Sequence, residues 1–299
     1  MDIYFSLPNF FTFFHINNIF ASLNRAHREY FKGAGKYTII FSSAHGNFPY
    51  CSWNGGVNNC EGKGAYYKDF IECGDRSILP LRFNCSNILL KDYDYANVMG
   101  NLILKQNENG SNYIEISDLL FFEYLKEKYP NYKYIFSASA NLINPVNKDI
   151  LSCLIDSNNF DLIELPYGFE VESLDGIKKS SLEIYVNSLC PTTCPYWENC
   201  RLNEHNNQYN FSQKTIFNCN NRKLYYNENN FIPFEDVIEL YVKKGISHFK
   251  MENIPFCDSI DAKFDHAYID FLIKYFIKEE HQAEALNFVL AEENNYNGN

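Results

Sequence analysis

The cysteines between Cys190 and Cys219 are the residues whose type and spacing best fit chemistry. The run reads Cys190-Pro191-Thr192-Thr193-Cys194-Pro195-Tyr196-Trp197-Glu198-Asn199-Cys200, and Cys219 follows after 18 further residues. Closely spaced thiolates in one loop can converge on a metal with little loss of chain entropy, and soft sulfur donors select iron–sulfur clusters or zinc. The spacing is neither that of a zinc ribbon nor that of a bacterial ferredoxin, so an iron–sulfur cluster, a structural zinc and unliganded thiols all stay open. Cys85, in Asn84-Cys85-Ser86-Asn87 just after an expected strand, is a substitute ligand or a packed core cysteine. Cys51 and Cys60 lie in a Gly/Asn-rich loop, Cys153 reads as a small core residue of a helix, and Cys257 has no companion.

Polar groups at strand ends form a second set: Ser42, Ser43, His45, Ser117, Ser137, Ser139, Glu164, Asn187, Lys250 and Glu252. A strand end in a barrel aims at the axis, where a carboxylate or an amine can do acid–base work. Lys250 and Glu252 are the substrate-contacting residues expected here. Glu164 and Glu252 also read as salt-bridged rim carboxylates, His45 as a loop histidine, and His248 as a core residue within a strand.

The elements that must hold these groups follow from periodicity. Short apolar runs at 37–41, 79–83, 113–116, 132–136, 162–165, 182–186 and 248–251 read as buried strands. Helical periods fall at 95–106, 118–129, 147–156, 171–179 and 233–244, with Asp118 and Pro233 suited to helix starts and Gly245 to a helix end. On 118–129, Leu119, Phe122 and Leu125 read as core packing. A strand–helix cadence of roughly 20 to 28 residues implies a parallel sheet. Seven strands, with an eighth near 3–7 or 223–226, predict a (β/α)8 TIM-like barrel over a single α/β domain, 1–299. A doubly wound sheet is the other arrangement of the same elements. A long insertion, 42–78, follows the first strand, and the cysteine-rich segment 187–231 follows a late one. Both are expected at the barrel end where ligands bind.

Composition narrows the function classes. The chain has 299 residues, 46% apolar and 21% charged, enough to bury a large core. Lys and Arg number 26 against 37 Asp and Glu, a formal charge of −11, which weighs against binding through many phosphate contacts. The aromatic stretch 10–20 is broken by His15, Asn17 and Asn18, so no transmembrane span or signal peptide is expected. Ten cysteines without such a signal predict a reducing, cytoplasmic setting. No glycine-rich nucleotide loop follows any expected strand.

The segment Phe234-Glu235-Asp236-Val237-Ile238-Glu239-Leu240-Tyr241-Val242-Lys243-Lys244-Gly245-Ile246-Ser247-His248-Phe249-Lys250-Met251-Glu252 resembles the late-barrel segment of the collagenase-like peptidase family. There a helix, a Gly-Ile or Gly-Val turn and a Lys-Ile-Glu-Gly-Arg strand follow a cysteine-bearing region. Here Asn253 and Ile254 stand in place of the Gly and Arg. The order of parts is similar over about residues 80 to 255.

The resemblance implies a TIM-like barrel with a cysteine-ligated [4Fe-4S] cluster near its C-terminal face. Family members are linked to hydroxylation in ubiquinone biosynthesis and to RNA modification. The expectation is therefore an iron–sulfur enzyme doing redox or hydroxyl-transfer chemistry on a small molecule, peptide or RNA base. Cys190, Cys194, Cys200 and Cys219 would be its ligands, and an electron-transfer or enzyme partner would serve it. Nucleic acid is the least expected of these substrates. The other expectations are a non-catalytic peptide- or ligand-binding barrel with a structural zinc, and a collagenase-like peptidase. For the peptidase no His-Glu-x-x-His motif is present.

Overall fold

A computed structural model describes residues 1–8, 10–47, 53, 74, 77–85, 98–137, 148–169, 171–187, 231–252 and 263–297. Eight parallel strands close into a barrel: β1 (Asp2–Leu7), β2 (Thr38–Asn47), β3 (Leu81–Cys85), β4 (Tyr113–Ile116), β5 (Lys133–Phe136), β6 (Leu162–Leu165), β7 (Leu182–Tyr185) and β8 (His248–Lys250). Each strand pairs with its neighbour in chain order, and Tyr4↔His248, Phe5↔Phe249 and Ser6↔Lys250 close the ring. The TIM-like barrel expected from the cadence is the fold.

Side chains alternate between the two faces of each strand. The outward set, including Ile3, Phe5, Phe41, Phe83, Ile114, Phe136, Ile163, Ile184 and Phe249, is buried under the helices. Phe5, Phe20, Phe31, Phe41 and Phe276 form a run of edge-to-face and tilted ring pairs there. Such contacts add about 0.5–1.5 kcal/mol per pair beyond burial alone.

Several sequence expectations are corrected. The first strand is β1, so the run beginning at 37 is the second. β2 also extends to Asn47, so residues 42–47 belong to the strand and not to an insertion. The apolar run stops at Phe41 because the chain beyond it faces a polar barrel interior with Ser43 and His45. A register shift between Phe5 and Ser6 skips Ser42, pairing Phe41 with Phe5 and Ser43 with Ser6. This bulge is what turns Ser43 and His45 inward. The strand expected at 79–83 lies two residues later, and the possibility at 223–226 lies outside the described residues.

The aromatic stretch after β1 is a helix, Phe10–Ala26, kinked at Phe13. Phe13, Ile16, Phe20 and Leu23 are its buried stripe, and Asn17 is buried too, donating to the Pro8 carbonyl at 3.1 Å and accepting from Tyr268 Oη at 2.8 Å. Among the described residues no helix is long and apolar enough to cross a membrane. Two C-terminal helices, Lys263–Phe276 and Gln282–Asn297, complete the outer layer.

Of the expected helices, Leu119–Lys128 forms as read, with the Asp118 side chain capping Phe121 N at 2.7 Å. Its buried residues are Phe121, Phe122 and Leu125, while Leu119 is exposed. Val98–Gln106 and Lys148–Asp156 form close to their expected bounds, but Cys153 lies on an exposed face and not in the core. The helix expected at 171–179 is two single turns, Val171–Leu174 and Lys179–Ser181, parted by Gly176 at φ 84°. A left-handed residue cannot continue a right-handed helix.

Phe234–Leu240 is helical, Tyr241 departs from helical geometry, and Gly245 ends the following turn at φ 96°. A Cβ at Gly245 would meet nothing closer than Lys179 Cδ at 3.8 Å, so the constraint there is backbone angle alone. Gly245→Ala is expected to lose about 1–2 kcal/mol, read as a lower urea midpoint.

Candidate active site at the barrel mouth

Five charged side chains meet inside the barrel. Arg82 on β3 is fully buried; its Nε donates to Glu115 Oε2 at 2.9 Å, its Nη1 to Glu183 Oε2 at 2.6 Å, and its Nη2 to Glu164 Oε1. Lys250 Nζ donates to Glu115 Oε2 at 2.5 Å, to Glu164 Oε1 at 2.8 Å and to Tyr185 Oη at 2.9 Å, which uses all three of its protons. Tyr185 Oη donates in turn to Glu164 Oε2 at 2.9 Å. Ser137 Oγ lies 3.1 Å from both Glu115 Oε1 and Glu164 Oε2.

The strands dictate this meeting. Arg82, Glu115, Glu164, Glu183, Tyr185 and Lys250 each sit between outward apolar neighbours, so the pleat sends them to the axis. TIM-barrel interiors are normally packed with branched apolar residues. Here, among the described residues, the interior holds two cations, Arg82 and Lys250, against three carboxylates, all nine-tenths or more buried.

Burial reshapes the protonation of these groups. Desolvation pushes Lys250 down to about 8, although Glu115 and Glu183 favour its charged form. For Glu115, desolvation acts upward, but Lys250 and Arg82 overcome it and hold the carboxyl down at about 2. A carboxylate depressed from 4.5 to about 2 contributes stability that is complete above pH 4.5 and lost as pH falls toward 2. The urea midpoint should therefore drop across that window in the wild type. In Glu115→Gln the drop should be shallower, and equal slopes in the two proteins would refute the assignment.

A second polar group borders the first. Ser43 Oγ donates to Ser6 Oγ at 2.8 Å, and Ser6 Oγ lies 2.9 Å from His45 Nδ1. Burial first, then Lys250 and Arg82, hold the His45 imidazole well below its ordinary value, so the ring is neutral.

Of the residues expected at the site, Ser43, His45, Ser137, Glu164 and Lys250 are brought to the barrel interior. Glu252 follows β8 and is part-buried; its backbone N–H donates to Asn187 Oδ1 at 2.7 Å, and its carbonyl accepts from Asn187 Nδ2 at 3.3 Å. Asn187 thus ties the ends of β7 and β8 together. Ser42 sits at the bulge, its Oγ donating to the Phe5 carbonyl at 3.3 Å.

Cys85 lies on the outward side of β3 in the apolar layer near Tyr132 and Tyr134. That placement is the packed-cysteine alternative of the sequence reading. Cys51, Cys60, Cys190, Cys194, Cys200, Cys219, Cys257 and Ser139 lie outside the described residues. No group of metal-ligating side chains is found among the described residues.

The roots of the cysteine-rich segment are described. An antiparallel bridge joins Asn187 to Phe231, and Ile232 N donates to the Val186 carbonyl at 2.8 Å. The segment therefore starts and ends beside the C-terminal end of β7. The other long stretches outside the described set likewise follow the C-terminal ends of β2, β3, β5 and β8.

Sequence reasoning missed Arg82, Glu115, Glu183 and Tyr185. Their signal was a lone charge or hydroxyl in each of LRFNC, YIEI and LEIY.

No protein-family model matches this chain, and no curated protein or solved structure matches it either.

Proposed function

We propose that this chain is an enzyme working at the C-terminal mouth of its barrel, with redox or hydroxyl-transfer chemistry served by a cysteine-held iron–sulfur cluster. One observation carries the reading: the cysteine-rich segment is rooted at Asn187 and Phe231, beside the strand ends that bear Tyr185 and Lys250. TIM-barrel enzymes build their sites at this end. The resemblance of residues 234–252 to the collagenase-like peptidases supports the same reading.

The donor set fits such a group. Cys190, Cys194, Cys200 and Cys219 would hold it as thiolates, all carried on a segment whose two ends start from one point. When bound, a [4Fe-4S] cluster supplies one-electron chemistry. The chain's own groups supply proton handling. Lys250 Nζ, lowered to about 8, holds a proton it can release near neutral pH, and Tyr185 Oη links it to Glu164 Oε2. Asn187 fixes the backbone of Glu252 just past the end of β8. The substrate would be a small molecule or a peptide; the net charge of −11 disfavours a large nucleic acid.

The test is anaerobic purification with iron, sulfide and zinc analysis of one sample. Matching iron and sulfide with a broad visible absorbance are expected, and Cys194→Ala should lose most of the iron. Near-stoichiometric iron in that variant would sink the ligand assignment. A colourless protein with one zinc per chain would make the segment structural and favour a binding protein.

A further inference from the structure

We infer that the ends of β2, β3 and β4 form a binding seat for a neutral planar amide, its carbonyl oxygen accepting from His45 Nε2–H and its N–H donating to Asn84 Oδ1. Three buried side-chain atoms on these adjacent strands, His45 Nε2, Asn84 Oδ1 and Ser117 Oγ, have no hydrogen-bond partner among the described residues. Buried polar groups are nearly always paired, so three orphans on neighbouring strands at the ligand end of a barrel call for an occupant.

The hydroxyl relay decides what His45 offers. Ser43 donates to Ser6, so the single Ser6 proton is best spent on His45 Nδ1. Nδ1 is then the acceptor, and the ring's one proton sits on Nε2. The reversed relay would strand the Ser43 proton as well as leaving Nε2 unmet, so it satisfies fewer groups. The Met251 backbone lies close enough to favour a charged ring, without reaching hydrogen-bond geometry at Nε2. His45 is only 3% exposed, and the ring is neutral.

Register places the other partner. His45 pairs with Arg82, and Asn84 is two residues further along β3 on the same face. With strands about 4.8 Å apart and about 3.3 Å of rise per residue, the two Cα atoms are about 8 Å apart, a gap one amide group can bridge. Ser117 follows β4, where Glu115 pairs with Asn84, and its hydroxyl can donate or accept.

Charge selects a neutral ligand. The charges that bear on His45 are Lys250 and Arg82, and both are already spent on Glu115, Glu164 and Glu183, so no unshared cation is left to hold a carboxylate ligand. A cation would meet the His45 donor with nothing to give it. An amide presents one acceptor and one donor, and so satisfies both His45 and Asn84.

The inference rests on the mouth being the ligand end of the barrel, as proposed above, but not on the cluster. Its test uses the full-length chain with ¹⁵N-labelled histidine, in which two-bond correlations report the His45 tautomer. The protein is then titrated with 2-pyrrolidinone, N-methyl-2-pyrrolidinone and acetate. The expected result is an Nε2–H tautomer and a saturable shift of the His45 signals with 2-pyrrolidinone. Binding should be about tenfold weaker for the N-methyl analogue, which lacks the donor, and in Asn84→Leu.

An Nδ1–H tautomer would overturn the inference, as would an equal response to acetate or to the N-methyl probe. Absence of any saturable shift up to the solubility limit would mean that ordered water fills the seat, which also overturns it. Metal content is measured separately, so loss of the cluster reading and loss of this one are distinguishable.

Discussion

Arg82→Met is expected to lose most of the stability of the fold. The guanidinium donates to three different carboxylates with no solvent contact, and among the described residues Arg82 is the cation that pairs directly with Glu183. Removing it leaves Glu115, Glu164 and Glu183 facing one ammonium. Breaking a single buried pair costs about 3–5 kcal/mol, because the surviving charge is stranded in a medium that cannot solvate it. With total stabilities of about 5–15 kcal/mol, one carboxylate left without a paired cation and two left sharing the Lys250 ammonium leave little margin. Arg82→Lys should recover only part of the loss, since a point ammonium cannot match the planar fork that meets three carboxylates in different directions. Urea unfolding followed by circular dichroism measures both variants. A loss under about 1 kcal/mol for Arg82→Met, the size of an exposed ion pair, would mean that the network does not hold the barrel.

Why the sequence revealed the barrel but not this network follows from the two faces of each strand. Outward positions such as Phe83, Ile114, Ile163 and Ile184 are apolar because helices cover them, and these make the strands readable as runs separated by helical periods. Inward positions carry the chemistry one residue at a time. Glu115 in YIEI and Glu183 in LEIY look like isolated polar interruptions until the sheet closes. The contacts that give them meaning span 33 residues for Arg82–Glu115 and 101 for Arg82–Glu183. No local period encodes such distances. Lys250 and Glu164 were singled out as polar groups near strand ends, yet Glu115 stands at the same place in YIEI as Glu164 in LIEL, and Arg82 lies second in its strand, so position along the strand is not a sufficient signal. The same polar interior explains the misread limit of β2, where inward Ser43 and His45 ended the apolar run early.

The second large effect is a rescue, expected for Lys250 and Glu115. Lys250→Met removes one of the two buried cations among the described residues and leaves Glu115, Glu164 and Glu183 to Arg82, which should cost about 3–5 kcal/mol. Glu115→Gln removes a carboxylate and keeps a neutral acceptor for Arg82 Nε and Lys250 Nζ, so its cost should be smaller. The double variant returns the interior to one more carboxylate than cations, the balance of the wild type. Its loss should therefore fall short of the sum of the singles by about 1–3 kcal/mol, the size of coupling seen between residues in one network. Met also fills the lysine's apolar volume without a charge to desolvate, which favours the double variant further. Four urea curves complete the cycle. Strict additivity would show that Lys250 and Glu115 act on stability independently, with Lys250 held instead by its bonds to Glu164 and Tyr185 and by the charge of Glu183.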